Sequence, residues 1–193
     1  YHLGLEGWTD VVLIEKGELT SGSTWHAAGL CPNFNGNHTL SNVHEYTIKL
    51  YDEILPKKTG LPSSFHKTGS LRVGYTEVEE QWFTNILSRA NHVGCEMHFV
   101  SKEEASVINP MMDFTKARNI LYTPNDGHVD PTTVVTQLAQ LAKKAGAEVS
   151  NFNRVTDINI LPSGEYEVIT EQGSITAQHV VNAGGCFSPQ VGA

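Results

Sequence analysis

Glu15 closes the apolar run Val11-Val12-Leu13-Ile14, and a segment of small and hydroxyl-bearing residues follows. Ser21-Gly22-Ser23-Thr24 leads into Trp25-His26-Ala27-Ala28-Gly29-Leu30. An acid at a strand end can accept hydrogen bonds from ribose hydroxyls. In a dinucleotide-binding βαβ unit it lies about 20 residues past a glycine fingerprint, which here would fall before Tyr1. Without that context Glu15 reads equally as a solvated acid, and Lys16 beside it as surface. Residues 21–24 offer hydroxyls and unhindered N–H groups near an expected helix start, where the dipole favours a pyrophosphate; the same residues also suit an N-capped loop. His26 reads either as a packed or capping residue or as a cofactor ligand. The residue types alone point to a nucleotide and stop there.

Other candidates are weaker. His92-x-x-Cys95-x-x-His98 has metal-like spacing, but it spans a helix stop and a strand start and lacks a fourth ligand, so no metal site is expected. His128, beside an expected helix N-cap, is open to a structural, cofactor-side or basic role. Trp8, Trp25 and Trp82 read as packing residues. Cys31, Cys95 and Cys186 are an odd, scattered set that suits reduced thiols better than disulfides.

The elements that must position these groups are legible from periodicity. Residues 11–15 read as a buried strand. Leu40, Val43, Ile48, Leu50 and Tyr51 follow helical spacing up to Gly60. Residues 70–75 read as a strand, and Thr76 with Glu79 forms a capping box for a helix through Trp82, Ile86 and Leu87 that Gly94 ends. Residues 97–100 return as a strand. Ser101 and Glu104 form a second capping box, before a short helix that stops at Pro110, and 120–122 is another strand. Asp130-Pro131 starts a helix with apolar face Val134, Leu138 and Leu141, closed by Gly146. Strands are expected near Val149 and at 155–160, 166–170 and 179–183. The alternation predicts an α/β fold with a smaller strand-rich part inserted.

The 193 residues carry 13 basic and 21 acidic side chains, a net charge of −8. That balance argues against nucleic acid and anionic membranes as partners, and no apolar run approaches the ~18 residues of a membrane span. Tyr1-His2-Leu3-Gly4-Leu5-Glu6-Gly7 reads as the last turns of a helix with a glycine stop. The chain is expected to be a piece of a longer protein, with the glycine fingerprint and a C-terminal remainder outside it.

Residues 18–30, Glu-Leu-Thr-Ser-Gly-Ser-Thr-Trp-His-Ala-Ala-Gly-Leu, resemble the flavin-attachment signature of the dimethylglycine and sarcosine dehydrogenases. Further matches keep their order: Thr68-Gly69-Ser70-Leu71, then Asn125-Asp126-Gly127-His128-Val129-Asp130-Pro131, then Val181-Asn182-Ala183-Gly184-Gly185 with Phe187 at an aromatic position. Gly184 departs from the usual alanine. The resemblance implies a Rossmann-like, glutathione-reductase-like FAD-binding domain in segments of about 1–45 and 126–193, with part of a substrate domain inserted at about 60–125. It gives Glu15 and Lys16 to the adenosine end. Gly22, Ser23, Thr24, Trp25, His26, Ala27, Ala28, Gly29 and Leu30 go to the flavin and pyrophosphate, with His26 as the covalent link. Val155 would meet the adenine through its backbone, and Phe187 would line the cofactor.

The implied reaction oxidises the N-methyl group of dimethylglycine or sarcosine by hydride transfer to FAD. Electrons would leave to an electron-transfer flavoprotein or to oxygen, and tetrahydrofolate would bind a separate C-terminal domain. The implied location is the cytoplasm in a bacterium or the mitochondrial matrix in a eukaryote. The family's substrate-oxidising His and Tyr lie beyond these residues, so no catalytic residue is assigned and the isolated piece is expected to bind FAD poorly. Two alternatives remain: an amino-acid-oxidase-like flavoprotein with noncovalent FAD, and an inactive scaffold or folate-binding protein.

Overall fold

The structure is a computed structural model, and residues 1–192 are described. In chain order the elements are α1 (His2–Leu5), β1 (Val12–Ile14), β2 (Leu30–Cys31), α2 (His38–Lys49), a π-helical segment (Leu50–Ile54), α3 (Leu55–Thr59), β3 (Phe65–His66), β4 (Ser70–Gly74), α4 (Glu77–His92), β5 (His98–Phe99) and α5 (Lys102–Ile108). There follow β6 (Asn119–Thr123), β7 (Gly127–Val129), α6 (Pro131–Lys144), β8 (Glu148–Ser150), β9 (Val155–Ile160), β10 (Tyr166–Thr170), β11 (Gly173–Ala177), a 3₁₀ turn (Gly185–Phe187) and α7 (Ser188–Val191). The chain divides into two units, Tyr1–Ala27 with Pro131–Ala193, and Ala28–Asp130. No described helix is long and apolar enough to cross a membrane.

In the first unit β1 pairs in parallel with β8, and α6 is the crossover helix that a parallel pair requires. Val134 and Leu141 are buried on α6, as the periodicity predicts, and so is Gln137 at 1% exposure. β9, β10 and β11 form an antiparallel meander. Two expectations need correction. The strand at 11–15 forms but is not buried: its sheet has two strands among the described residues, and Leu13 is 45% exposed. Residues 179–183 are not a strand, because nothing among the described residues pairs with them. β11, which the periodicity passed over, takes the third place in the meander instead.

In the second unit β6 is central between β4 and β5. Successive strand residues face opposite sides, so Ile120 and Leu121, at 1% and 0% exposure, enter different clusters. Leu121 packs with Phe83, Ile86 and Ala90 of α4 and with Cys95 and Met97. Ile120 packs with Ala105, Phe114 and Ala117. Both capping boxes form: the Glu79 N–H donates to Thr76 Oγ1 at 3.2 Å while Thr76 N–H donates to Glu79 Oε2 at 2.8 Å, and Ser101 and Glu104 repeat the pattern. Bonds from the Tyr75 N–H and then from the Thr76 hydroxyl and N–H hold the Glu79 carboxyl below the usual carboxylate range, and the Ser101 N–H and hydroxyl do the same for Glu104.

β2, β7 and β3 form a second antiparallel sheet in this unit. Gly29 enters it at φ +72°, and a Cβ there would collide with the Val129 carbonyl oxygen, whose residue also donates its N–H to Gly29 O at 2.9 Å. Only glycine satisfies both demands. Gly29→Ala is therefore expected to lower the stability of the full-length protein by roughly 1–3 kcal/mol, read as a drop in melting temperature even without cofactor; an unchanged melting temperature would refute the close approach. Burial holds the Cys95 thiol up at about 11. Thiolate is the reactive form, so alkylation at pH 8 followed by peptide mapping should label exposed Cys186 rapidly and Cys95 only on unfolding; equal rates would contradict this packing.

Candidate functional site

The parallel pairing of β1 continues beyond the strands themselves. Glu15 N–H donates to Ser150 O at 2.9 Å, Asn153 N–H donates to Glu15 O at 2.9 Å, and Phe152 N–H donates to Gly17 O at 2.9 Å. Phe152 takes φ +53° to make this turn, while Asn153, 4% exposed, is held by Ser150 Oγ and the Gln172 N–H. Two residues later Val155 opens β9. Glu15, half-buried, accepts from Gly17 N–H through Oε1 at 2.9 Å, and no described residue bonds Oε2. Its second oxygen is therefore available to a hydroxyl pair.

Lys16 is not idle surface. Its Nζ lies 3.3 Å from the centroid of the Phe187 ring, within cation–π range. Phe187 is placed by Asn182, whose Nδ2 donates to Ser188 O at 2.9 Å and whose Oδ1 accepts from Gly184 N–H at 3.2 Å. A Cβ on Gly184 would sit 3.2 Å from that same Oδ1, so the departure from alanine leaves room for the Asn182 bridge. Residues 15–16, 153–155 and 187 thus converge at one end of β1 inside the first unit.

From residue 19 to 26 the chain makes successive turns, not a helix, and after β2 the next helix begins only at His38. This corrects the expected helix start: Ser21 Oγ donates to Glu18 O at 2.7 Å, the kind of local bond with which hydroxyl side chains compete against helix. The N–H groups of Gly22, Ser23, Thr24, Trp25 and His26 have no acceptor among the described residues. A run of free N–H groups with two hydroxyls is a donor set suited to phosphate oxygens. His26 is exposed, makes no hydrogen bond among the described residues, and stacks on Trp25 with ring centroids 3.7 Å apart. Neither packing in a core nor capping occupies it. Trp8, Trp25 and Trp82, read as packing residues, are 49%, 60% and 57% exposed, and each lies against one neighbouring ring, His179, His26 and Phe83 respectively.

Ala28, Gly29 and Leu30 belong to the second unit, where Leu30 is 76% exposed in β2. The binding element that sequence reasoning missed there is Asp126. At 3% exposure, its Oδ1 accepts from Asn33 N–H at 2.6 Å, its Oδ2 accepts from the Ser70 hydroxyl, and its carbonyl accepts from Gly69 N–H at 2.8 Å. Gly69 at φ +70° leaves the space that a Cβ would contest with the Tyr122 ring. The segments after residue 30, at 68–71 and at 125–131 are thus three parts of one clamp. Burial, and then the Asp126 carboxylate, pushes the Cys31 thiol up. The signal for the clamp was the Asp-Gly pair itself, which reads as turn chemistry unless its partners are known.

The donor set in the first unit therefore fits FAD: a strand-end carboxylate, a phosphate-suited turn, and an aromatic under a cation. Comparison with known proteins agrees. The description "FAD dependent oxidoreductase" matches residues 1–193. Mouse mitochondrial dimethylglycine dehydrogenase is 40% identical over 192 residues, covering 100% of this chain and 22% of that protein. Human mitochondrial sarcosine dehydrogenase is 31% identical over 197 residues, again 100% and 22%. The mouse mitochondrial pyruvate dehydrogenase phosphatase regulatory subunit is 29% identical over 192 residues, also 100% and 22%. Among solved structures, L-proline dehydrogenase from P. horikoshii superposes with a TM-score of 0.89 at 27% identity, over 98% of this chain and 50% of that one. The chain spans 22% of the length of the curated relatives it matches, and it belongs to the family of FAD dependent oxidoreductases.

Proposed function

We propose that this chain is the FAD-holding part of an oxidoreductase that oxidises the N-methyl group of a methylated glycine, dimethylglycine or sarcosine. The observation that carries the reading is the convergence of Glu15, Lys16, Val155 and Phe187 at one strand end. Glu15 Oε2 would hold the ribose hydroxyls, the backbone at Val155 the adenine edge, and the Lys16–Phe187 pair one wall of the adenosine end. The free N–H groups of residues 22–26 would bind the pyrophosphate. His26, exposed and unbonded, would be the attachment point, with Trp25 fixing its ring.

When bound, FAD supplies the acceptor for a hydride leaving the N-methyl carbon. The amine is left as an iminium, which water hydrolyses to formaldehyde and the demethylated amine. Electrons would pass on to an electron-transfer flavoprotein or to oxygen. A folate on a separate domain would be the alternative captor of the one-carbon unit.

The likeness to a regulatory subunit supports a second reading, in which the fold serves as a scaffold without turnover. Acid precipitation of the full-length protein separates the readings. The pellet of the parent is expected to hold the flavin, and His26→Ala should shift it to the supernatant. Flavin entirely in the parent's supernatant would overturn covalent attachment and leave noncovalent FAD; no flavin in either fraction would favour the scaffold.

A further inference from the structure

The central strand of the β2–β7–β3 sheet carries His128, and its two cross-strand neighbours in register are Leu30 on one side and His66 on the other. Directly opposed residues project to the same face, with Cβ atoms roughly 4.5–5.5 Å apart. Leu30, His128 and His66 therefore form one row on one face of this sheet. All three are exposed. The two imidazoles lie 5.1 Å apart between centroids with planes inclined by 30°. Neither ring has a hydrogen-bond partner among the described residues, so each has ring nitrogens to offer.

We propose that His66 and His128 form the subsite for the substrate's carboxylate. The proposal rests on the oxidoreductase reading above. Dimethylglycine, sarcosine and proline, the compounds that name three of the relatives, each pair an amine with a carboxylate. In a chain of net charge −8, an anionic group needs local donors. A neutral imidazole donates one N–H and a protonated one donates two, so side-by-side rings can meet both oxygens of one carboxylate. Within this sheet His128 lies one strand away from Leu30 and His66 two. A metal ion is a poorer occupant: no group of three His, Cys, Asp or Glu among the described residues could complete its ligand set.

The test uses the full-length protein with its flavin content measured first. Calorimetric titration with trimethylglycine, which keeps the carboxylate but has no amine lone pair, reads the subsite without turnover. His128→Ala and His66→Ala should each weaken binding about tenfold, the scale of a hydrogen bond to a charged group. His128→Gln, which keeps a side-chain N–H donor, should recover part of that loss. An unchanged melting temperature shows that the three variants are folded, and with dimethylglycinamide as substrate the rise in KM should be smaller than the loss seen with the acid. Trimethylglycine binding unchanged in both alanine variants, or equal losses for acid and amide, overturns the subsite while leaving the flavin reading intact. A parent with flavin but no affinity for trimethylglycine also overturns it. A parent without flavin sinks the oxidoreductase reading and the subsite together.

Discussion

The hydrogen bonds between residues 15–17 and 150–153 are the constraint on which the first unit depends. Parallel strands cannot be joined by a tight turn, so β1 and β8 meet only after a long excursion of the chain. Once they meet, the pairing runs past the strand ends and ties Glu15 and Gly17 to Asn153 and Phe152. This delivers the start of β9 to the acid that ends β1. Phe152 takes a left-handed backbone to make the passage, a conformation uncommon outside glycine, and its own N–H bond to Gly17, the Asn153 bond to Glu15 and a Gln172 side-chain bond to its carbonyl hold it there. The chemistry assigned to the strand end exists only because these backbone groups find each other.

A different device serves the second unit. Asp126 is a buried residue to which two segments are bonded, at Asn33 and at Gly69 with Ser70, and each bond satisfies a part-buried donor. Its position between Asn33 and Ser70 fixes where β2 leaves and where β4 begins. Gly29, Gly69 and Gly127 are small for steric reasons internal to this unit. At these three positions the missing Cβ makes room for the protein's own backbone and rings.

Much of this was legible before any coordinates. The capping boxes at Thr76 and Ser101 bear the helices they announce, because a cap is a local bond whose partners lie three residues apart. The Asp130-Pro131 start and the glycine stops are local in the same sense. Burial of β1 was misread, since a continuous apolar run implies two covered faces only where a sheet supplies them. Residues 179–183 failed as a strand for a related reason: strand propensity needs a neighbour to bond. At the candidate site, Glu15, Lys16, Val155 and Phe187 were all named from family resemblance; what the sequence did not show is that the Lys16 ammonium lies over the Phe187 ring. Asp126 was quoted as part of a motif and not recognised as a hub, because its partners are 56 and 93 residues away. The same distance hid the row of Leu30, His128 and His66.

The central claim is that the turn after β1 holds the flavin at His26. The most direct measurement is a tryptic map of the full-length protein, since cleavage after Lys16 and Lys49 isolates residues 17–49. The account predicts that this peptide carries the flavin fluorescence and that fragmentation places the added mass on His26, not on His38 or His44. Flavin found on a different peptide, or on neither peptide nor protein after unfolding, would contradict it.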